Sequence, residues 1–196
     1  MRHSGLALVA AATLVGSTAE AAILTFNTDP FAGTTALTMP GRQIVPPAGM
    51  EPFITFDPAN DVFVFNPTVF GISDPLAFAS GPDESLPTSG AEVIVLQEFA
   101  PPNVNAGLAA NLIAARVTSP GPGVFVYFNT GLGVPRLVYS TNLDDETADL
   151  AVLARLTNLN QQSMSAFDVD NFDVPEPAAL ALFGLTLLAA LRRRAS

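Results

Sequence analysis

Residues 123–142 read GVFVYFNTGLGVPRLVYSTN, and this stretch decides the fold class. Two runs rich in β-branched and aromatic residues, Val124–Phe128 and Arg136–Thr141, flank a segment with two glycines, Asn129–Pro135. Such a pattern predicts a β-hairpin, because strands on either side of a Gly-containing loop pair back on each other. We therefore expect the surrounding chain to be built mainly from strands.

Four other segments extend the strand pattern. Short apolar runs occur at Ile23–Phe26, Phe53–Phe56 and Val62–Phe65, and the sequence EVIVLQEF follows at residues 92–99. The Phe53–Phe56 and Val62–Phe65 runs are joined by a Pro-containing turn at Asp57–Asp61. In Val62–Phe65 and in EVIVLQEF both alternating faces are apolar, which predicts strands between two covering layers.

The segment LDDETADLAVLARLTNL, residues 143–159, admits two interpretations. Its apolar residues alternate from Leu150 through Val152 and Ala154 to Leu156, as in a strand with one apolar face. A helical face would instead have to include the half-polar Thr157. We favour the strand, because the preceding hairpin offers an edge with which it can pair.

One helix is predicted in AGLAANLIAARV, residues 106–117. Asn105 is a suitable N-cap residue, Leu108 and Leu112 fall on one face, and the Pro120–Gly123 run ends the helix. Short strands, frequent Pro and Gly turns and one short helix predict a mainly-β single domain, a β-sandwich or a barrel-like fold.

The N-terminal segment MRHSGLALVAAATLVGSTAEA, residues 1–21, has the layout of a secretory signal peptide. Arg2 supplies the basic start, Leu6–Val15 is apolar, and the small residues Ala19 and Ala21 form an A-x-A site. We expect a signal helix that is cleaved after Ala21. The alternative is an apolar N-terminal helix of the mature fold.

The C-terminal segment VPEPAALALFGLTLLAALRRRAS, residues 174–196, contains the uncharged run Ala178–Leu191. A helix of this length is about 21 Å long, short of a hydrocarbon core of about 30 Å. With flanking residues and the snorkelling stems of Arg192, Arg193 and Arg194 it can still span a bilayer. A buried core helix is the alternative. The terminal position and the arginines favour a transmembrane helix whose basic end is cytoplasmic, and hence an exported body.

Residues 174–194 resemble a PEP-CTERM sorting signal, with the Pro175, Glu176, Pro177 motif, an apolar helix and an arginine cluster in fixed order. The resemblance implies a Gram-negative bacterium in which a membrane-bound exosortase recognises these three residues and removes the tail. It also implies association with exopolysaccharide or a biofilm matrix. The expected division is a signal peptide at 1–21, a globular domain at 22–173 and the sorting signal at 174–196.

The body between the two ends is acidic and lacks several reactive side chains. Sixteen carboxylates against four arginines give residues 22–174 a formal charge of −12, which argues against nucleic acid as a partner. The chain has no cysteine and no lysine, and its single histidine is His3. The body therefore cannot form a Ser-His-Asp triad, a Cys-His pair or a typical zinc site.

Acidic clusters remain as candidates for chemistry. Asp144, Asp145 and Asp149 lie in one loop and are possible calcium ligands, because calcium binds loop oxygens; the alternative is a solvated turn between strands. Paired carboxylates could also hydrolyse a glycosidic bond. Tryptophan, a frequent sugar-stacking residue, is absent.

We expect an exported protein of the cell surface or extracellular matrix with a non-catalytic structural or interaction role. The alternatives are a polysaccharide- or calcium-binding module and a carboxylate-dependent glycosidase. The expected partners are an exosortase-like membrane enzyme, the secretion machinery and exopolysaccharide. We expect no cofactor; the alternative is calcium. The protein would pass through the inner membrane, held there transiently by its C-terminal helix.

Overall fold

The computed structural model describes residues 20–46, 51–73, 76–86, 89–118 and 120–175. The α-helices in these residues are α1 (Pro67–Phe70) and α2 (Ala106–Ala114). The strands are β1 (Ile23–Phe26), β2 (Ile44–Val45), β3 (Phe53–Ile54), β4 (Val62–Phe65), β5 (Phe78–Gly81), β6 (Val93–Leu96), β7 (Gly123–Asn129), β8 (Val134–Ser140), β9 (Leu150–Leu156) and β10 (Phe172–Asp173). Short 3₁₀ turns occur at Ala36–Thr38, Asp83–Ser85, Gln161–Ala166 and Val169–Asn171.

The strands form two sheets, which confirms the mainly-β prediction. The large sheet has the order β2-β9-β8-β7-β6-β5, with β3 also pairing with β9, and the small sheet has the order β1-β4-β10. Over the described residues the large sheet keeps two edges, one at β5 and the other at β2 and β3. No described helix has the length and apolarity needed to cross a bilayer. Most of the predicted signal peptide, residues 1–19, and the predicted helix at residues 178–191 lie outside the described part.

The predicted hairpin is confirmed as β7 and β8. The two strands pair antiparallel along their whole length, from Gly123 opposite Ser140 to Asn129 opposite Val134. The turn is closed by the Gly133 N–H, which donates to the Asn129 carbonyl at 2.8 Å. Gly133 has φ = 71°, a left-handed conformation in which a residue without a Cβ atom is favoured.

The predicted helix is confirmed as α2, but its connection was not predicted. The Asn105 side chain accepts a hydrogen bond from the Leu108 N–H at 2.9 Å and so caps the first turn. The helix joins β6 to β7, which pair parallel. Parallel neighbours require a crossover connection, and α2 supplies it. Because β5 also pairs parallel with β6, and β2 and β3 pair parallel with β9, four of the six strand pairs in the described large sheet are parallel.

Two apolar cores lie on opposite faces of the large sheet. The helix-side core packs α2 against Ile94, Leu96, Phe125, Tyr127 and other residues of that face. The inter-sheet core lies between the two sheets and contains the opposite face of the same strands, with the small sheet and several loops. Both faces of β6 are buried, as predicted for the EVIVLQEF segment.

The prediction for Val62–Phe65 is wrong for one of its faces. Phe63 and Phe65 of β4 are fully buried in the inter-sheet core, but Val62 and Val64 are only half-buried. These two valines line an open groove on the outer face of the small sheet. The small sheet is thus an outer layer. The neighbouring strand β3 belongs to the other sheet, so the turn at residues 57–61 carries the chain from one layer to the next.

A β-bulge in β9 corrects the predicted alternation of that segment. The strand itself is confirmed, but Leu137 pairs with Ala154 while Val138 pairs with Val152, so Leu153 is an extra residue. Leu153 and Ala154 both contact the inter-sheet core, whereas Val152 contacts the helix-side core. The bulge shifts the phase of the strand by one residue. Its consequence is that Arg155 lies on the same face as Val152.

Candidate functional site

The predicted sorting residues begin where the folded body ends. β10 pairs with β4, with Phe172 opposite Phe63, and Val174 is 3% exposed within the inter-sheet core. Pro175 is half-buried and is the last described residue. The other predicted recognition residues, Glu176 and Pro177, and the membrane-orienting Arg192, Arg193 and Arg194 lie outside the described part. The folded body therefore extends up to the first residue of the Pro-Glu-Pro motif.

The predicted signal-peptide cleavage point lies at the start of the small sheet. Ala21 is exposed, while Ala19 lies outside the described residues. The backbone N–H of Ala22 donates to Asp61 Oδ1 at 2.7 Å, and its carbonyl accepts from the Val62 N–H at 3.0 Å. Asp61 is buried, and its second oxygen accepts from the Asp57 N–H at 2.8 Å. Cleavage after Ala21 would place the new terminus beside a buried carboxylate.

The three candidate calcium ligands lie in the loop before β9 but do not converge. Asp145 Oδ1 accepts hydrogen bonds from the Thr147 backbone N–H and hydroxyl, both at 2.7 Å, and these bonds lower the pKa of Asp145. Asp149 Oδ1 accepts from the Gln43 N–H at 2.6 Å, and Asp144 is half-buried. Within the described ranges, no group of three or more acidic residues, histidines or cysteines is placed to hold a metal ion.

Arg42 is the cation that this acidic loop faces. Its guanidinium donates to the Ala148 carbonyl at 2.9 Å, the Gly107 carbonyl at 2.7 Å and Asn111 Oδ1 at 2.6 Å. Burial lowers the pKa of Arg42, and the negative charges of the loop, Asp145 first among them, oppose that change. Arg42 therefore ties the loop to α2, and the acidic side chains stabilise that tie.

A row of four side chains, two of them arginines, crosses four strands of the large sheet, and it was not predicted from the sequence. Tyr127 of β7 lies opposite Arg136 of β8, Arg136 lies opposite Arg155 of β9, and Arg155 lies opposite Phe53 of β3. Like charges directly opposite each other on neighbouring strands destabilise a sheet. The pair of arginines therefore needs a compensating group or a function.

Glu51 supplies part of the compensation. Its carboxylate receives a bidentate pair from Arg136, with Nε to Oε1 at 2.7 Å and Nη2 to Oε2 at 2.6 Å. Arg155 Nε also lies 2.8 Å from Oε2, but this N–H is not aligned for a hydrogen bond and is buried without a partner. Glu51 thus belongs mainly to Arg136, and its contact with Arg155 is an ion pair only.

Tyr127 forms the inner end of the row. Its hydroxyl accepts from Asn129 Nδ2 at 3.0 Å and from Arg136 Nη1 at 3.3 Å. Burial raises the pKa of Tyr127, so the hydroxyl stays neutral and serves as a fixed hydrogen-bond partner. Burial alone would lower the pKa of Arg136, but the contacts with Glu51 and Tyr127 raise it. The Arg136 guanidinium is therefore held in place and stays positively charged.

The row borders a groove of about 350 Å³ on the surface. We name it the arginine groove and define it by its lining residues: Ile44, Val45, Pro46, Glu51, Phe53, Arg136, Val152 and Arg155. The guanidinium of Arg155 lies 5.0 Å from the centre of the Phe53 ring, a cation–π distance. The arrangement combines a charged floor with apolar walls, as small-molecule sites commonly do.

One sequence signal could have pointed to this groove. Each of the two strands VPRLVYS and LAVLARL carries a single arginine in an otherwise largely apolar run. A lone charge inside such a strand needs a partner from elsewhere in the fold. The partner, Glu51, lies 85 residues from Arg136, and nothing local identifies it.

No curated protein and no solved structure matches the chain. The C-terminal tail does match a family model. Residues 173–194 match the PEP-CTERM protein-sorting motif, which covers the Pro-Glu-Pro segment, the apolar run and the arginine cluster. The chain thus carries the tail of a protein that is exported and sorted to the cell envelope or surface by an exosortase, a membrane enzyme.

Proposed function

We propose that this protein is a non-catalytic component of the cell surface or extracellular matrix, delivered there by exosortase-dependent processing of its tail. The match of residues 173–194 to the sorting motif carries the proposal. The body supports it, because Val174 is held in the inter-sheet core and the motif follows directly. An enzyme working on the motif can act on the tail while the body stays folded.

The absence of His, Cys and Lys from the body sequence supports a non-catalytic role. These side chains supply most general bases, nucleophiles and Schiff-base amines of enzymes. The acidic surface, at a formal charge of −12 for residues 22–174, suits a soluble, mutually repelling surface component. Export through a signal peptide that is cleaved after Ala21 belongs to the same proposal.

The experiment follows the chain in a bacterium that has an exosortase. Wild type and a variant with Pro175, Glu176 and Pro177 all changed to alanine are expressed with an epitope inserted near the exposed Asn103, and membrane and released fractions are separated. We expect the wild type to reach the surface or medium with its tail removed, and the variant to stay in the membrane at full tail length. A matched control changes Pro101 and Pro102 to alanine and should behave as wild type. Equal release of all three proteins would contradict the proposal.

A further inference from the structure

The arginine groove carries an unmatched positive charge. Arg136 and Arg155 bring two positive charges and Glu51 brings one negative charge, and the described lining contains no other ionisable residue. The excess is therefore +1. This is unusual in a body that has only four arginines and is acidic elsewhere. Two cations lie directly opposite each other with only one carboxylate between them, so a second anion would balance the remaining charge.

Among the described lining residues, Arg155 holds most of the free hydrogen-bonding capacity. Both oxygens of Glu51 already accept from Arg136, and Arg155 reaches only Oε2 through its Nε. In the described part of the chain, neither terminal nitrogen of Arg155 donates a hydrogen bond. A guanidinium presents five donors in a rigid fork that fits the two oxygens of a carboxylate. The fork at Arg155 is thus available for a bidentate acceptor.

The walls around the fork are apolar and accessible. Phe53 is 65% exposed, and Ile44 at the edge of the groove is 47% exposed. The Phe53 ring lies against the guanidinium, so an acceptor bound to Arg155 would place its own body beside this ring. A volume of about 350 Å³ suits a small molecule.

We infer that the arginine groove binds a small organic acid, in which one carboxylate is attached to an apolar or aromatic group. The carboxylate pairs with the Arg155 fork, and the apolar group packs on Phe53 and Ile44. The inference does not depend on the sorting route. The net negative charge of the body does not prevent binding, because exposed charges farther than about 8 Å are screened at physiological ionic strength.

The experiment titrates the full chain, held in a mild detergent and labelled with ¹⁵N-arginine, with benzoate at millimolar concentrations. Benzamide has the same ring without the charge, and acetate has the charge without the ring. The NMR signal of Arg155 Nε–Hε should shift saturably with benzoate, weakly with acetate and not with benzamide. Dependence on both the charge and the ring is the signature of the proposed site.

Four variants locate the binding. Arg155→Gln should weaken benzoate binding at least about tenfold, the effect expected from loss of one charged hydrogen-bonding partner. Arg155→Lys keeps the charge but loses the fork. Its affinity for benzoate should therefore lie between those of wild type and Arg155→Gln. Glu51→Gln removes the internal competitor and should strengthen binding. Arg116→Gln removes the same charge at an exposed position after α2 and should leave the affinity unchanged.

Three results would overturn the inference. One is the absence of a saturable shift with benzoate. Another is an equal loss of affinity in Arg155→Gln and Arg116→Gln, which would mean nonspecific attraction to arginine. The third is binding of a peptide ending in a free Phe carboxylate without binding of benzoate, which would assign the groove to a protein partner. Because folding of Arg155→Gln must be intact, the amide spectrum of each variant is compared with that of wild type.

Discussion

At the scale of single residues, the large sheet depends on how it places its few charges. Arg42 donates hydrogen bonds to backbone carbonyl groups and to Asn111, and so holds the acidic loop to α2. Arg136 is fixed between Glu51 and Tyr127. Of these three arginines, only Arg155 has two terminal nitrogens that donate no hydrogen bond to any residue that the structure describes. The same residue type thus serves structure at two positions and is available for binding at the third.

Replacing Glu51 with Gln should destabilise the protein by about 3 kcal/mol, because it leaves two opposed and partly buried guanidinium groups without a counter-charge. The free energy of unfolding is measured by urea denaturation. Glu84→Gln, at an exposed position in the Asp83–Ser85 turn, is the matched control and should change stability by less than about 0.5 kcal/mol. Benzoate should restore part of the loss in Glu51→Gln. A loss equal to that of the control would show that the arginines need no counter-charge.

Tyr139 should make stability fall at alkaline pH. Burial, and then the charge of Asp29, raise the pKa of Tyr139 to about 12, and its hydroxyl donates to the Phe70 carbonyl at 3.1 Å. An unfolded tyrosine ionises near pH 10, so the unfolded state loses its proton first. The contribution is complete below about pH 10 and is lost as the pH rises toward about 12.

Tyr139→Phe tests this by urea denaturation at several pH values. The variant should lose about 1 kcal/mol at neutral pH, since the hydrogen bond to the Phe70 carbonyl is gone. Its fall above about pH 10 should be shallower than that of wild type, with the remainder due to Tyr127, whose pKa burial also raises. Parallel curves for the two proteins would mean that Tyr139 does not titrate differently in the folded state.

At the scale of secondary-structure elements, the start of β1 is fixed by a buried carboxylate. Asp61 accepts from Ala22 N with one oxygen and from Asp57 N with the other. If the chain starts at Ala22, this nitrogen becomes an ammonium group that is charged below about pH 8. A charge-assisted hydrogen bond is stronger than one from an amide.

We therefore predict that a chain beginning at Ala22 is more stable than one beginning at Ala21, by about 1 kcal/mol at neutral pH. Asp61→Asn should lower the stability of both by about 1–3 kcal/mol, because one oxygen acceptor is lost from a buried site. In the Asp61→Asn background the two start points should be equally stable. Chemical denaturation of the four proteins forms a double-mutant cycle. A cycle with no coupling energy would refute the pairing of the new terminus with Asp61.

The elements that local pattern specifies could be predicted from the sequence. Short apolar runs predicted β1, β4 and β6, and two strand-forming runs around a glycine-containing segment predicted the hairpin. Alternation of apolar residues predicted β9, and an N-cap followed by apolar spacing predicted α2. What could not be predicted is non-local. The bulge at Leu153 depends on pairing between β8 and β9, and the parallel pairs of the small sheet join segments far apart in the chain. The arginine groove depends on the bulge, which turns Arg155 toward Arg136, and on the parallel pairing of β3 with β9, which brings Phe53 beside Arg155.

At the scale of the whole molecule, the small sheet gathers the two ends of the body. β1 and β10 are its outer strands, and both pair parallel with β4. The predicted cleavage point after Ala21 therefore lies just before β1, and the predicted recognition residues Pro175 to Pro177 lie just after β10 of the same sheet. Its aromatic side chains form a continuous cluster with Phe56, whose ring centre lies 4.0 Å from that of Phe63. Removing the predicted signal peptide and the sorting signal would leave this aromatic cluster complete.

Truncation tests where the body ends. A chain that stops after Pro175 keeps Phe172 and Val174, which are 5% and 3% exposed in the inter-sheet core, and should be as stable as the full body. A chain that stops after Asn171 loses both and should be less stable by about 3–5 kcal/mol, the usual cost of removing a large buried side chain. Urea denaturation of the two truncated chains measures the difference. Pro175→Ala in the longer chain should be nearly neutral, whereas Val174→Ala should lose part of the stability. Equal stability of the two truncated chains would mean that the folded body ends before β10. More residues would then separate the folded body from the sorting motif than the structure shows.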